Sequence, residues 1–247
     1  LQVEIDIKGS SSHASVPWQG TNALYGLSKA IRNIELYQPE LDTSVALFDH
    51  LSVFAIEDKA SPETIEGIIA DLEINNKRLA SLLRALSRMT LTPTMVEGGI
   101  KSNSVPESIR LTCDVRTLPH QDEKHLQREL DQVLKGIPGI TYEIDYMAKP
   151  NASPFETEFA KHIRLATASA LGMEKIAMIP GISPGFTDSR FTRPLGTTTY
   201  GFSAMHPEDD PAISFIHGTN ESIGINSLIN ATKVMVTLAH NMLAQQS

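Results

Sequence analysis

Three stretches of this sequence alternate apolar and polar residues with a period of two. Their placement limits the fold more than any other feature. Leu1, Val3, Ile5 and Ile7 alternate with Gln2, Glu4, Asp6 and Lys8. Ile109, Leu111, Cys113 and Val115 alternate with Arg110, Thr112, Asp114 and Arg116, and Ile140, Tyr142, Ile144 and Tyr146 repeat the pattern. Each reads as a strand with one buried face. A further strand is expected from Thr92 to Ile100, ending at Gly98-Gly99. Helical spacing appears after the first strand at Leu24, Leu27, Ile31 and Ile34, with Thr21 or Asn22 as cap. It appears again at Leu126, Leu130, Val133 and Leu134, opened by Pro119 and Asp122. The order strand–helix–insert–strand–strand–helix–strand is the split βαβ, ferredoxin-like arrangement. It gives an antiparallel sheet with helices on one face, and it leaves the other face and an edge open.

The remaining segments are read more coarsely. The insert at about 40–90 is expected to hold a short strand within Leu41–Phe54 and two helices. One helix is opened by Ser61 and Pro62 and carries Ile65, Ile68, Ile69 and Leu72; the other carries Leu79, Leu82, Leu83 and Leu86. Lys149–Pro154 looks like a linker, so the expected division is a domain at 1–149 and a second segment at 150–247. In the second, helices are expected over Phe155–Leu171 and Asn220–Leu243, the latter with Ile225, Leu228, Ile229, Val236 and Leu243 inward. Buried strands are expected at Ile176–Ile179 and Thr197–Phe202. Two strands and two long helices are too few for a doubly covered parallel sheet. The chain also starts directly in a strand without an initiator Met, so it reads as the middle of a longer protein. The fold class is α/β (α+β).

Composition excludes some functions. The net charge of −8 disfavours a partner held through phosphate contacts, and the strand Ile109–Arg116 lacks exposed aromatics for stacking on bases. No apolar run approaches the roughly 18 residues of a membrane span. The single Cys113 forbids an intrachain disulfide, lies on the apolar side of its strand, and suits a reducing, cytoplasmic setting. Phosphate-binding Gly loops, Cys-x-x-Cys and Gly-x-Ser-x-Gly are absent.

The stretch Ser214-Phe215-Ile216-His217-Gly218-Thr219-Asn220-Glu221 ends an apolar run in an imidazole ahead of a helix. Metal ligands and anion-binding groups occupy such junctions, although a histidine there is more often a plain loop residue. His13 sits in a Ser-rich loop that on its own is unremarkable chemically. Asn103 suits a turn by itself, and Arg116 suits a cross-strand ion pair.

Together these residues form a pattern. Gly9, His13-Ala14-Ser15, Pro17 and Gly20-Thr21-Asn22-Ala23 resemble the opening of the lid, or dimerisation, domain of a zinc hydrolase family. That family includes aminoacylases, carboxypeptidase G, acetylornithine deacetylase and succinyl-diaminopimelate desuccinylase. Gly98-Gly99, Asn103-Ser104-Val105-Pro106, Asp114-Val115-Arg116 and Pro119 resemble the same domain further on. Gly185-Phe186-Thr187-Asp188 and His217-Gly218-Thr219-Asn220-Glu221 resemble the end of the catalytic domain.

The resemblance implies a lid/dimerisation domain joined to a partial α/β zinc-hydrolase catalytic domain. It implies that His13 stabilises the oxyanion in a partner subunit's site, and that Asn103 and Arg116 hold the substrate's carboxylate end. It also implies that Gly185 lies beside the substrate and that His217 ligates one of two zinc ions. The family's other ligands and base come as a His-x-Asp, an Asp, a Glu-Glu pair and a further acidic ligand; none of these is expected here. The expected function is therefore that of a piece of a zinc-dependent metallopeptidase or amidohydrolase. It would cleave peptides or N-acyl amino acids as a homodimer joined through the lid, and the isolated chain would be inactive. The competing expectation is a non-catalytic dimerisation or ligand-binding module.

Overall fold

The first alternating stretch folds as β1 (Gln2–Lys8), followed by a two-residue strand β2 (Ser12–His13) and a 3-10 turn at Pro17–Gln19. The first helix is α1 (Ala23–Leu36); the Asn22 side chain caps it by accepting from the Leu24 amide at 2.9 Å. Its buried face is Ala23, Leu27, Ala30 and Ile34, while Leu24 and Ile31 stay partly exposed. The larger apolar side chains thus misplace the stripe by one position, because the two alanines occupy the contact line. The insert contains a 3-10 helix at Ala46–Phe54 where a strand was expected, then α2 (Ile65–Asn75) and α3 (Lys77–Leu86). Leu47, Phe48 and Leu51 are buried by the tight helix, a spacing of one, three and four that no strand can put on one face. Thr64, not Ser61, precedes α2.

The rest of the first unit's elements are β3 (Thr90–Gly98), β4 (Ser104–Val105), which pairs with β2 in a separate two-stranded ribbon, β5 (Ser108–Arg116), helix α4 (Glu123–Val133) and β6 (Ile140–Asp145). Strand order is β3-β5-β1-β6 with every pairing antiparallel, the ferredoxin-like sheet expected. Pro93 lies in the edge strand β3, where a missing donor does no harm. A bulge beside it leaves Thr94 between the Pro93–Cys113 and Met95–Thr112 pairs.

The core lies between the sheet and its two helices. Val3, Ile5 and Ile7 of β1 pack with Ile109, Leu111, Cys113 and Val115 of β5, and Leu126, Leu130 and Val133 of α4 close over them with the α1 face. Burial pushes the Cys113 thiol up to about 11, so it is a core residue rather than a nucleophile at neutral pH. Two polar links tie the helices. Asn33 donates to the Val133 carbonyl at 2.8 Å. The Tyr37 hydroxyl donates to Glu129, and burial together with that carboxylate raises the Tyr37 pKa far above its ordinary value. On the open sheet face Arg110 bridges Asp6 and Glu4 at 2.9 Å.

The chain divides into two compact units, Leu1–Asn151 with Gly181–Arg190, and Ala152–Pro180 with Phe191–Ser247. This computed structural model describes residues 1–146, 148–183, 185, 187–206, 208–209 and 219–244. In the second unit α5 (Glu158–Leu171) is capped by Thr157 and ends at Gly172 in left-handed geometry. A short turn α6 (Ser189–Thr192) and the long α7 (Ile225–Ala244) follow. Residues 176–179 and 197–202 form no strand, because no partner strand lies beside them among the described residues. Thr199 and Tyr200 are held by other means: the Thr199 amide donates to Ser153 at 3.0 Å and the Tyr200 hydroxyl donates to the Pro154 carbonyl at 2.6 Å. Helix α7 buries Ser227, Val234 and Leu238, and Leu238 joins Ile163 and Ala166 of α5 in one cluster. Ile225, Leu228, Ile229, Val236 and Leu243, expected inward, are exposed. Helix α7 is apolar on more than one face, and its contact with α5 covers only one of them.

Two outcomes test this core. Leu130→Ala is expected to cost about 2–5 kcal/mol in chemical denaturation, and a loss under about 1 kcal/mol would contradict the packing described. The second concerns acid. Hydrogen bonds from Arg110 hold the Asp6 carboxyl below its usual range. A carboxyl lowered by folding adds stability that is present above its unfolded value of about 3.9 and is lost as pH falls through the folded one. Arg110→Gln is therefore expected to make the acid limb of the stability curve shallower; an unchanged limb would show that the pair carries no pH dependence.

Candidate functional site

The register of the central pair determines what meets at the top of the sheet. Lys8 pairs with Ser108 at one end, and Gln2 pairs with Asp114 at the other. The loop leaving β1 and the segment entering β5 must therefore run side by side, and they remain hydrogen-bonded beyond the sheet. The Gly9 amide donates to Glu107 at 2.7 Å and the Ala14 amide donates to Asn103 at 2.9 Å. Between them β2 pairs with β4, Ser12 with Val105 and His13 with Ser104. Val105 is buried and anchors this ribbon. His13 and Asn103 are thus neighbours on adjacent backbones, both with exposed side chains.

The loop that carries His13 is closed at its neck. Ser10 and Thr21 exchange backbone hydrogen bonds at 2.9 and 3.0 Å. A Cβ on Gly9 would lie 2.0 Å from the Thr21 oxygen, and one on Gly20 would lie 2.5 Å from the Ser10 oxygen. Only glycine permits that backbone approach.

Ser15 orients the imidazole. Its amide donates to His13 Nδ1 at 3.2 Å and its hydroxyl lies 2.7 Å from the same nitrogen. An amide N–H can only donate, so Nδ1 accepts and the neutral ring carries its proton on Nε2. The ring therefore offers Nε2–H as a donor. Sequence inspection missed this role of Ser15; the signal was its position two residues after His13, the span of a local side-chain-to-backbone bond.

Arg116 lies at the opposite end of β5, where it pairs with Thr90 and makes a bidentate bond to Asp114 at 2.7 and 2.8 Å. Eight residue steps of antiparallel strand separate it from Ser108, roughly 27 Å. Within one chain the structure brings His13 and Asn103 together and does not bring Arg116 to them. Gly185 is exposed, and its amide donates to the Ser183 hydroxyl at 3.1 Å.

His217 lies outside the described residues. Just beyond, Asn220 adopts left-handed geometry (φ 62°) rather than capping a helix. Helix α7 starts later, and Asp209 meets its first turn: the Ser227 hydroxyl donates to that carboxylate, and the Ser227 amide does so at 3.3 Å. This cap comes from a residue distant in sequence, which local patterns do not reveal.

A metal ion finds no ready site in what is described. No three His, Cys, Asp or Glu side chains are grouped to hold one among the described residues, so those residues alone do not make a zinc centre. One His-x-Asp triplet does occur, His120-Gln121-Asp122, against the expectation of none. It has structural duties: His120 pairs with Asp42 at 2.6 Å, the Gln121 side chain accepts from the Leu118 amide at 2.8 Å, and Asp122 caps α4 by accepting from the His125 amide at 2.9 Å.

Comparison with known proteins identifies the family. Residues 1–139 match the peptidase dimerisation domain family. Mouse aminoacylase-1 is 29% identical over 171 residues, covering 66% of this chain and 41% of the relative. The N-fatty-acyl-amino acid synthase/hydrolase PM20D1 of Xenopus tropicalis is 28% identical over 260 residues, covering 98% of the chain and 47% of the relative. The chain therefore spans less than half the length of these relatives. Among solved structures, an M20 family metallo-carboxypeptidase from Sulfolobus solfataricus superposes with a TM-score of 0.63 at 19% identity, covering 96% of this chain and 56% of that one. The di-peptidase Dug1p of Saccharomyces cerevisiae gives 0.59 at 15% identity, covering 96% and 53%. At these identities the superpositions speak to fold alone. The family match extends over more than half of the sequence and includes the whole β2–β4 ribbon: the chain belongs to the M20 peptidase dimerisation domain family.

Proposed function

We propose that this chain is part of a zinc-dependent hydrolase that cleaves the amide bond of a peptide or an N-acyl amino acid. It works as a homodimer, and its ribbon supplies His13 to the partner's reaction centre. The observation that carries this reading is the exposed His13 imidazole whose Nδ1 accepts from the Ser15 amide. With Nδ1 so engaged, an Nε2–H can donate to the oxyanion that forms when an amide carbonyl is attacked. The substrate class is supported by the names of the relatives, an aminoacylase and an N-fatty-acyl-amino acid synthase/hydrolase. The described residues hold no zinc centre, so the chemistry assigned to them is substrate positioning and charge stabilisation. His217 is kept as the proposed zinc ligand and Gly185 as a backbone position beside the substrate. Asn103, adjacent to His13, is proposed to hold the substrate's polar end. Arg116, bonded to Asp114 at the far end of β5 and remote from His13 and Asn103 within one chain, is kept as a proposed holder of the substrate's carboxylate end.

The dimer is proposed to form along β3. This edge strand is open, and Met95 and Val96 are 56% and 52% exposed. The opposite edge, β6, carries Glu143 and Asp145 in a six-residue strand, and antiparallel self-pairing there would bring like charges together. Pairing of β3 with a second β3 would extend the sheet. It would also set the β3–β4 connection, and with it Asn103, near the second copy. A cytoplasmic location belongs to the same proposal; no helix among the described residues is long and apolar enough to cross a membrane.

Steady-state hydrolysis of N-acetyl amino acids by the complete enzyme tests the reading. His13→Ala is expected to lower kcat by about 10²–10³ with little change in KM, the signature of a lost oxyanion donor. An unchanged kcat would contradict it. The 247-residue chain alone is expected to be inactive, and zinc-dependent hydrolysis by it would overturn the division of labour proposed.

A further inference from the structure

The neck that fixes His13 also fixes the only tryptophan of the chain. Trp18 sits in the 3-10 turn Pro17–Gln19, which buries none of its residues. Its side chain is 87% exposed. Leaving an indole in water forgoes the burial free energy of one of the largest apolar surfaces a side chain can offer. Flexibility of the loop does not account for this, because the turn is held at each step. The Val16 amide donates to His13 at 2.9 Å, Gln19 to Val16 at 3.2 Å and Gly20 to Pro17 at 3.2 Å. The Gly9 and Gly20 contacts with Thr21 and Ser10 then close the neck of the loop. The indole is therefore displayed from a braced backbone, on the same loop as the imidazole.

The spacing limits what the two can share. The bond from the Val16 amide to His13 closes a four-residue turn whose ends lie within about 7 Å, and two further residues add about 7 Å at most, so the Cα atoms of His13 and Trp18 lie within about 14 Å. That is the reach of one small extended molecule. We propose that Trp18 is a specificity-determining residue, an apolar platform for the acyl chain of an N-acyl amino acid whose scissile carbonyl faces His13. The inference rests on the proposed hydrolase reading and sharpens its substrate class to acids acylated with a long apolar group. A second copy of the chain is a less suitable occupant, since the apolar edge β3 already offers a pairing surface. Trp18 is flanked in sequence by Pro17 and Gln19 rather than by an apolar run. An aromatic face suits a flexible alkyl chain because it gives broad contact without demanding one geometry.

The test compares N-acetyl-leucine with N-decanoyl-leucine on the complete enzyme. Trp18→Ala is expected to lower the decanoyl-over-acetyl ratio of kcat/KM by about tenfold, mostly through KM, with Trp18→Phe restoring much of it. Trp18 also reports directly, as the single tryptophan of the 247-residue chain: its emission is expected to shift to the blue on titration with N-decanoyl-leucine and not with N-acetyl-leucine. An unchanged ratio in Trp18→Ala would overturn the platform while leaving hydrolysis and the His13 effect intact. A decanoyl-specific blue shift without turnover of either compound would keep the platform and overturn the hydrolase reading. Dissociation of the dimer by Trp18→Ala, seen by sedimentation, would make Trp18 a subunit contact and overturn the platform.

Discussion

Antiparallel pairing of β1 with β5 is the constraint on which the first unit depends. It joins residues about a hundred positions apart, Lys8 to Ser108 and Gln2 to Asp114, so the order of the whole sheet follows once it forms. It also stacks Val3, Ile5 and Ile7 on Leu111 and Cys113 to make the surface that α1 and α4 cover. The same register decides which loops can meet. Residues following Lys8 and residues preceding Ser108 emerge at one end, and Leu1 and Val115 bond at the other at 2.9 Å. His13 lies beside Asn103 for that reason, and Arg116 lies far from both.

From this anchor the ribbon acquires its chemistry by short-range means. Gly9 and Gly20 allow two backbones to touch, Val105 is buried within the ribbon, and the Ser15 amide engages His13 Nδ1 and leaves the proton of the neutral ring to Nε2. Each is a local bond of modest strength, about 1 kcal/mol net for a typical hydrogen bond. Under the proposed role of His13 their joint effect is preorganisation: a donor held in place before substrate arrives needs no reorientation as charge develops. The exposed Trp18 turn belongs to the same braced loop, which is why recognition and charge stabilisation are proposed on one element.

Period-two alternation made β1, β5 and β6 legible in the sequence, and the Leu126–Leu130–Val133 spacing with the Asp122 cap did so for α4. With the strand expected at Thr92–Ile100 and the first helix, these gave the ferredoxin-like order. Other parts were hidden for physical reasons. At Ala46–Phe54 an apolar run is compatible with strand or helix, and tight helical winding buries Leu47, Phe48 and Leu51 together. Residues 176–179 and 197–202 have strand composition, but a strand needs a neighbour to bond with. Helix α7 is apolar on several faces, so periodicity could not choose the one that α5 covers. In the site, the family resemblance singled out His13, Asn103 and Arg116 together but gave no end of the sheet for Arg116, because alternation reports the face of a residue and not its distance along the strand. The triplet His120-Gln121-Asp122 shows the converse: a metal-like spacing occupied by an ion pair and a helix cap.

The most direct measurement of the central claim, that this ribbon delivers His13 across a dimer, is subunit complementation in the complete enzyme. A His13→Ala subunit is expected to keep at most about a hundredth of the activity alone, and a His217→Ala subunit to be inactive alone. After mixing and exchange, half of the dimers are hybrids with one site that combines an intact His217 with the partner's intact His13, so activity is expected to return to about a quarter of the unmutated level. No recovery, with hybrid dimers verified by mass, would place both histidines in a single subunit's site and contradict the account.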